Sequence, residues 1–152
     1  MRVDRQCVLS GTVEQAIAAV RTPRLFRHIS TPMITFTAVD PPTFPDTWSE
    51  GTYWVKLKLF GLIPFGRQAI VISLIPSDDA FVVRDNGYSG LIKTWDHRIT
   101  ISQKENGVHY RDTVDIDAGI LTPLIWLYAQ GFYWHRQRKW QALARDGYEA
   151  IS

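Results

Sequence analysis

The sequence predicts an α+β fold: a strongly curved antiparallel sheet of about seven strands around one long C-terminal helix, with two short helices after the first strand. Three observations lead there. The segment 121–147 reads as one helix with both ends marked, and its first half is apolar nearly all round. Residues 51–117 carry a succession of alternating or apolar runs separated by turn signals, as an antiparallel sheet requires. Two helix-start signals fall close together, at Thr12 and Thr22.

Residues 3–10 give the first strand, with Val8 and Leu9 as its apolar part. Thr12 and Gln15 have the spacing of a capping box, which opens a short helix over 13–20. Thr22-Pro23 repeats a cap-plus-proline signal and opens a second one through Leu25, Phe26 and Ile29. Residues 33–39 form the next strand, closed by Asp40-Pro41-Pro42, and a proline-rich loop with Trp48 leads on to Gly51. Over 51–60, Tyr53, Val55, Leu57 and Leu59 alternate with Trp54, Lys56 and Lys58, the period of a half-buried strand. A turn over 61–66 returns the chain as a strand over 67–75. A turn over 76–79, a short strand over 80–85 and a turn over 86–90 follow.

The clearest hairpin joins 91–103 to 108–117 around Glu105-Asn106-Gly107, a strong tight-turn signal. Ile99 and Ile101 set the inward face of its first strand, which sends Trp95 and His97 inward. On the second strand Val108, Tyr110, Val114 and Ile116 face in and carry Asp112 with them. One of the two registers open to a two-residue turn sets His97 opposite Val114 and diagonal to Asp112.

The last helix begins with Thr122 as N-cap, Pro123 at the first helical position and a staple between Leu121 and Trp126. Gly147 suits a left-handed C-terminal cap, and His135, Arg136, Arg138, Lys139 and Arg145 lie toward the end that favours cations. At 1.5 Å per residue the helix is roughly 35 Å long. Leu124, Ile125, Trp126, Leu127, Tyr128, Phe132 and Tyr133 call for cover on more than one side, which a curved sheet can supply.

A chain of 152 residues, 45% hydrophobic and 21% charged, reads as one globular domain over 1–152. The aromatics (6 Trp, 6 Tyr, 7 Phe) exceed what core filling usually takes and hint at an aromatic-lined cavity. A net charge of +2 gives no electrostatic footprint for nucleic acid. Cys7 is alone, so neither an intramolecular disulfide nor a cysteine metal site can form. The N-terminus has no apolar signal region, and the longest apolar run is too short to span a bilayer, so the expectation is a cytoplasmic protein without stable membrane insertion. No histidine pair has zinc-type spacing and no glycine loop cradles a phosphate; no metal and no cofactor are expected.

The element order resembles the START/Bet v 1-like superfamily, also called SRPBCC, with its helix-grip fold. The residues most similar to its polyketide cyclase-like bacterial members are Trp95-Asp96-His97, Tyr110-Arg111-Asp112, Ala118-Gly119 and the run from Phe132 to Trp140. The superfamily includes lipid carriers, hormone receptors, quinone-binding proteins, aromatase/cyclases and oxygenase substrate-binding domains. The resemblance implies an apolar tunnel between sheet and helix and leaves the chemistry open.

Three charged or ionisable groups point inward: His97, Asp112 and Arg136, the last on a helix stripe with Ile125, Phe132 and Leu143, with Tyr128 beside it. An unpaired buried carboxylate costs several kcal/mol, so Asp112 needs a partner, His97 or Arg136. The cluster can anchor a ligand's carbonyl or carboxylate, work as an acid/base pair with His97 and Asp112 as catalytic candidates, or clamp the helix to the sheet. The expected ligand-binding set is Tyr53, Leu57, Trp95, His97, Tyr110, Asp112, Tyr128, Phe132 and Arg136. The expected partner is a small hydrophobic molecule, aromatic, polycyclic or lipid-like, bound by a monomer or homodimer. The alternatives are a cyclase, aromatase or dehydratase acting on a polyketide-like substrate, and an interaction protein whose core is filled by its own aromatics. The apolar turn Phe60–Gly66 reads as a lid, a contact surface or a turn packed beneath the short helices.

Overall fold

The structure, a computed structural model, describes residues 1–152. Strand β1 (Arg2–Leu9) is followed by helices α1 (Val13–Val20) and α2 (Pro23–Ser30). Strands β2 (Ile34–Asp40), β3 (Gly51–Leu59), β4 (Ile63–Ile75), β5 (Phe81–Gly87), β6 (Thr94–Lys104) and β7 (Gly107–Asp117) come next. A short 3-10 turn, Gly119–Leu121, leads into helix α3 (Thr122–Arg145). The strands make one seven-stranded antiparallel sheet in the order β1-β7-β6-β5-β4-β3-β2. This is the α+β helix-grip arrangement that the sequence predicts.

The local signals act as expected at both short helices. Thr12 and Gln15 form a reciprocal capping box, and Thr22 Oγ1 accepts the Leu25 N–H. The β6–β7 hairpin closes between Lys104 and Gly107, which sets His97 opposite Val114 and Ile99 opposite Asp112. Val108, Tyr110, Asp112, Val114 and Ile116 are all buried on one face.

Helix α3 bridges the two edges of the curved sheet. On one side Trp126 Nε1 donates to Arg2 O and Gln137 Nε2 to Arg5 O, so β1's free edge is tied to the helix. On the other side Tyr128 Oη donates to Met33 O, and Lys139 Nζ to Thr31 O, where α2 runs into β2. The Met33 carbonyl also accepts the Phe60 N–H, and the Thr31 carbonyl also meets His135 Nε2, so the helix docks onto backbone that is already ordered. No helix is long and apolar enough to cross a membrane.

Several details differ from the sequence reading. Thr122 is the first helical residue, and its Oγ1 accepts the Ala118 N–H and donates to Gly119 O. The 3-10 turn occupies that hydroxyl, so it caps no N–H of the first helical turn. The helix ends at Arg145. Gly147 (φ +68°) then accepts the left-handed conformation, with the Tyr148 N–H bonded to Leu143 O as in a Schellman cap. Strand β4 starts at Ile63, because a bulge between Leu57 and Lys58 absorbs the odd residue and pairs Pro64 with Lys58. Strand β5 takes in Asn86 and Gly87, which pair with Asp96 and Trp95. Strand β6 starts at Thr94, because Ser89 and Ile92 close a turn on each other.

Cover for α3 is also one-sided near its start. Leu124 and Leu127 are 67% and 63% exposed, whereas Phe132, Tyr133 and Trp140 are buried. The sheet grips the middle and end of the helix and leaves its first turns open on one flank.

Candidate functional site

A pocket of about 310 Å³ lies between the concave face of the sheet and the first half of α3. Fourteen of its eighteen lining residues are hydrophobic, contributed by α2, β2, β3, β4, β6, α3 and, through Ile92, the turn before β6. It reaches the surface beside Leu124, near the β3–β4 turn, where the Phe60 ring packs edge-on against Tyr128 at 6.1 Å between centroids. Phe60, Leu62 and Ile63 are exposed there.

Of the nine residues expected to bind ligand, Leu57, Trp95, His97, Tyr128, Phe132 and Arg136 line this pocket. Tyr53 instead packs against Trp48 at 4.9 Å, and its hydroxyl is held by the Ser49 backbone. Tyr110 is fully buried against Trp140, 4.3 Å between rings, in the other half of the core. Asp112 is fully buried behind His97 and does not reach the pocket surface.

The polar wall of the pocket is built in layers. Asp112 Oδ1 lies 2.7 Å from His97 Nε2, and Asp112 Oδ2 accepts from Gln137 Nε2 at 3.1 Å. Burial alone would raise the Asp112 carboxyl, but the His97 bond and the nearby Arg136 charge outweigh it and hold the group below the usual carboxylate range. With Asp112 ionised, His97 Nε2 carries the proton of that bond. Burial pushes the His97 imidazole below its usual range, with Asp112 opposing and Arg136 assisting, so it is neutral at pH 7. The Tyr133 ring packs edge-on against it at 4.9 Å, and the Tyr133 hydroxyl accepts from Trp95 Nε1 at 3.2 Å.

Arg136 is 3% exposed, faces the same pocket, and takes part in none of the chain's ion pairs. Its Nε has no hydrogen-bond partner. Its guanidinium carbon stands 5.7 Å from the Phe132 ring centroid and 5.3 Å from that of Tyr133, within cation–π range. The expected three-way contact thus divides. His97 and Gln137 satisfy Asp112, and Arg136, with Tyr110 beside it, borders the pocket without an ion-pair partner.

Two pocket residues escaped the sequence reading. Gln68 on β4 and Asp85 on β5 are the other polar groups of the wall. Asp85 sits directly opposite His97 in the β5–β6 pairing, and its Oδ1 accepts the Val71 N–H at 2.9 Å. Burial pushes its carboxyl up to about 7, with the Val71 N–H and Arg136 opposing. The alternation of Val83 with Asp85 carries the signal, but the long turn between β5 and β6 hides the register. No group of three or more His, Cys, Asp or Glu side chains is placed to hold a metal ion.

The fold has many solved likenesses. The chain is similar to the protein TTHA0849 from Thermus thermophilus, with 8% identity and a TM-score of 0.68 over 97% of this chain and 99% of that one. It is similar to the protein CV1439 from Chromobacterium violaceum, with 13% identity and a TM-score of 0.64 over 94% and 96% of the two chains. It is also similar to a START superfamily protein from Mycobacterium smegmatis, with 9% identity and a TM-score of 0.56 over 95% and 97%. At such identities these likenesses establish a START-like fold and nothing about chemistry. No curated protein matches the sequence. Residues 45–144, from the loop before β3 almost to the end of α3, match the family model described as a domain of unknown function (DUF8410), and the chain belongs to that family.

Proposed function

We propose that the domain formed by residues 1–152 binds a small hydrophobic molecule, aromatic, polycyclic or lipid-like, whose carboxylate or carbonyl end meets Arg136. The supporting observation is a buried guanidinium without an ion-pair partner in the wall of an otherwise apolar pocket. An isolated buried charge costs several kcal/mol, and ring stacking returns only part of that. A ligand oxyanion or carbonyl supplies the missing partner, and a planar guanidinium suits a carboxylate. A volume of about 310 Å³ is within the range of small-molecule sites. It favours binding over an interaction protein with a filled core. Native mass spectrometry of freshly purified protein tests this reading: a bound apolar acid or carbonyl compound supports it, and no retained or accepted apolar ligand counts against it.

The His97–Asp112 bond favours a second reading, an enzyme of the cyclase, aromatase or dehydratase kind. A neutral imidazole held by a buried carboxylate and lining the pocket is equipped for proton transfer. In that case wild-type protein converts a co-purified molecule that His97→Ala protein retains intact.

A further inference from the structure

The anion site uses Arg136 and leaves two polar groups of the pocket wall without a role. Gln68 is 7% exposed, and its side-chain amide faces the pocket without a hydrogen-bond partner in the protein. Asp85 commits Oδ1 to the Val71 N–H, and the residue lines the same pocket. Gly87 explains how they come together. A β-carbon there would stand 3.2 Å from Asp85 Oδ1, 3.3 Å from Gln68 Nε2 and 2.8 Å from Ala69 O. The bare glycine lets both side chains sit side by side where β4 and β5 meet.

An amide N–H donor next to a carboxylate acceptor is the complement of a group that accepts and donates at once. Among small neutral groups that is a hydroxyl, whose oxygen takes the N–H while its proton goes to the carboxylate. While Asp85 is ionised a ketone would leave it without a donor, and a plain hydrocarbon would leave both groups unpaired at a cost. Asp85 pairs directly with His97 across β5 and β6, so this spot adjoins the Arg136 end of the pocket. Asp85, His97 and Arg136 also border a smaller apolar space of about 50 Å³ behind the main pocket. The polar groups therefore form a wall between two apolar volumes.

We infer that Gln68 and Asp85 form a hydroxyl-recognising subsite beside Arg136, so that the ligand class is a hydroxylated apolar acid. This rests on the binding function proposed above. The test is titration calorimetry of the full chain with naphthoate and a set of its monohydroxy isomers. Wild-type protein should bind at least one hydroxy isomer about tenfold tighter than naphthoate. In Gln68→Leu and in Asp85→Ala the ratio of the two affinities should fall to about one. Asp85→Asn serves in place of Asp85→Ala should the latter fail to fold, and it should lower the ratio as well. If naphthoate binds but no isomer is preferred, or the preference survives both substitutions, the subsite is refuted while the binding function stands. If naphthoate and every isomer fail to bind the wild type, the binding function falls and the subsite with it.

Discussion

His97 Nε2 and Asp112 Oδ1 are 2.7 Å apart with no solvent reaching the carboxylate, and this contact frees Arg136. Asp112 is satisfied from two sides, by His97 on β6 and by Gln137 on α3. The carboxylate therefore ties helix to sheet, and the guanidinium one residue before Gln137 is left facing the pocket. Two charges that an ion pair would have cancelled keep separate tasks.

Asp112→Asn should show that division. The amide cannot accept from both His97 and Gln137 through two oxygens, so a buried donor loses its partner. Stability should fall by about 1–3 kcal/mol in urea unfolding. Affinity for a carboxylate probe, per folded molecule, should not fall, because a buried anion that acts on Arg136 has been removed. A large loss of affinity at unchanged stability would reverse the two roles.

The pH dependence of stability should contain two opposing parts. Asp112 is held below its ordinary value, so its contribution is present above about pH 4 and is lost as pH falls through the lower folded value. Neutral His97 acts in the same direction, because below about pH 6.5 the unfolded chain takes up a proton that the folded one resists. Asp85 is raised to about 7, so its contribution is complete below about pH 4 and is lost as pH rises toward 7. Asp85→Asn removes that loss. The variant should gain on the wild type between pH 5 and pH 8, by up to about 1.4 kcal/mol per pH unit below 7. Urea unfolding at the two pH values reads the difference, and an equal gap at both would show that Asp85 titrates normally.

The two flanks of α3 should respond in opposite ways to truncation. Trp140 is fully buried, stacks on Tyr110 and donates from Nε1 to Tyr148 Oη at 3.1 Å. Trp140→Ala should cost about 3–5 kcal/mol. Leu124 is two-thirds exposed, and Leu124→Ala should stay within about 0.5 kcal/mol. A comparable cost at both positions in thermal or urea unfolding would mean that the helix start is covered after all.

Much of this architecture is legible from local chemistry. The capping box at Thr12, the cap at Thr22, the Asn106-Gly107 turn and the left-handed Gly147 each act within a few residues, and each was readable. The tight turn narrows the β6–β7 register to two, and the structure adopts the one that sets His97 opposite Val114 and diagonal to Asp112. Asp85 and Gln68 were not readable in the same way. Their neighbours are fixed by the β4–β5 and β5–β6 pairings, whose connections leave the register open. Periodicity also assigns a face without saying how far the opposing surface extends. Tyr110 and Phe132 both point inward, yet one packs on Trp140 and the other borders the pocket. For the same reason the apolar start of α3 calls for cover on more than one side, whereas Leu124 and Leu127 are open.

The most direct measurement compares naphthoate with its methyl ester, in wild-type protein and in Arg136→Met. The two probes share an apolar body and differ in charge, and methionine keeps the stem of Arg136 without its donors. Wild-type protein should bind naphthoate one to one and about tenfold more tightly than the ester, a difference of about 1.4 kcal/mol. In Arg136→Met the two affinities should become equal, with the ester unchanged. A preference for naphthoate that persists without Arg136, or a wild-type protein that binds neither probe, would contradict the assignment of Arg136 as the ligand's anchor.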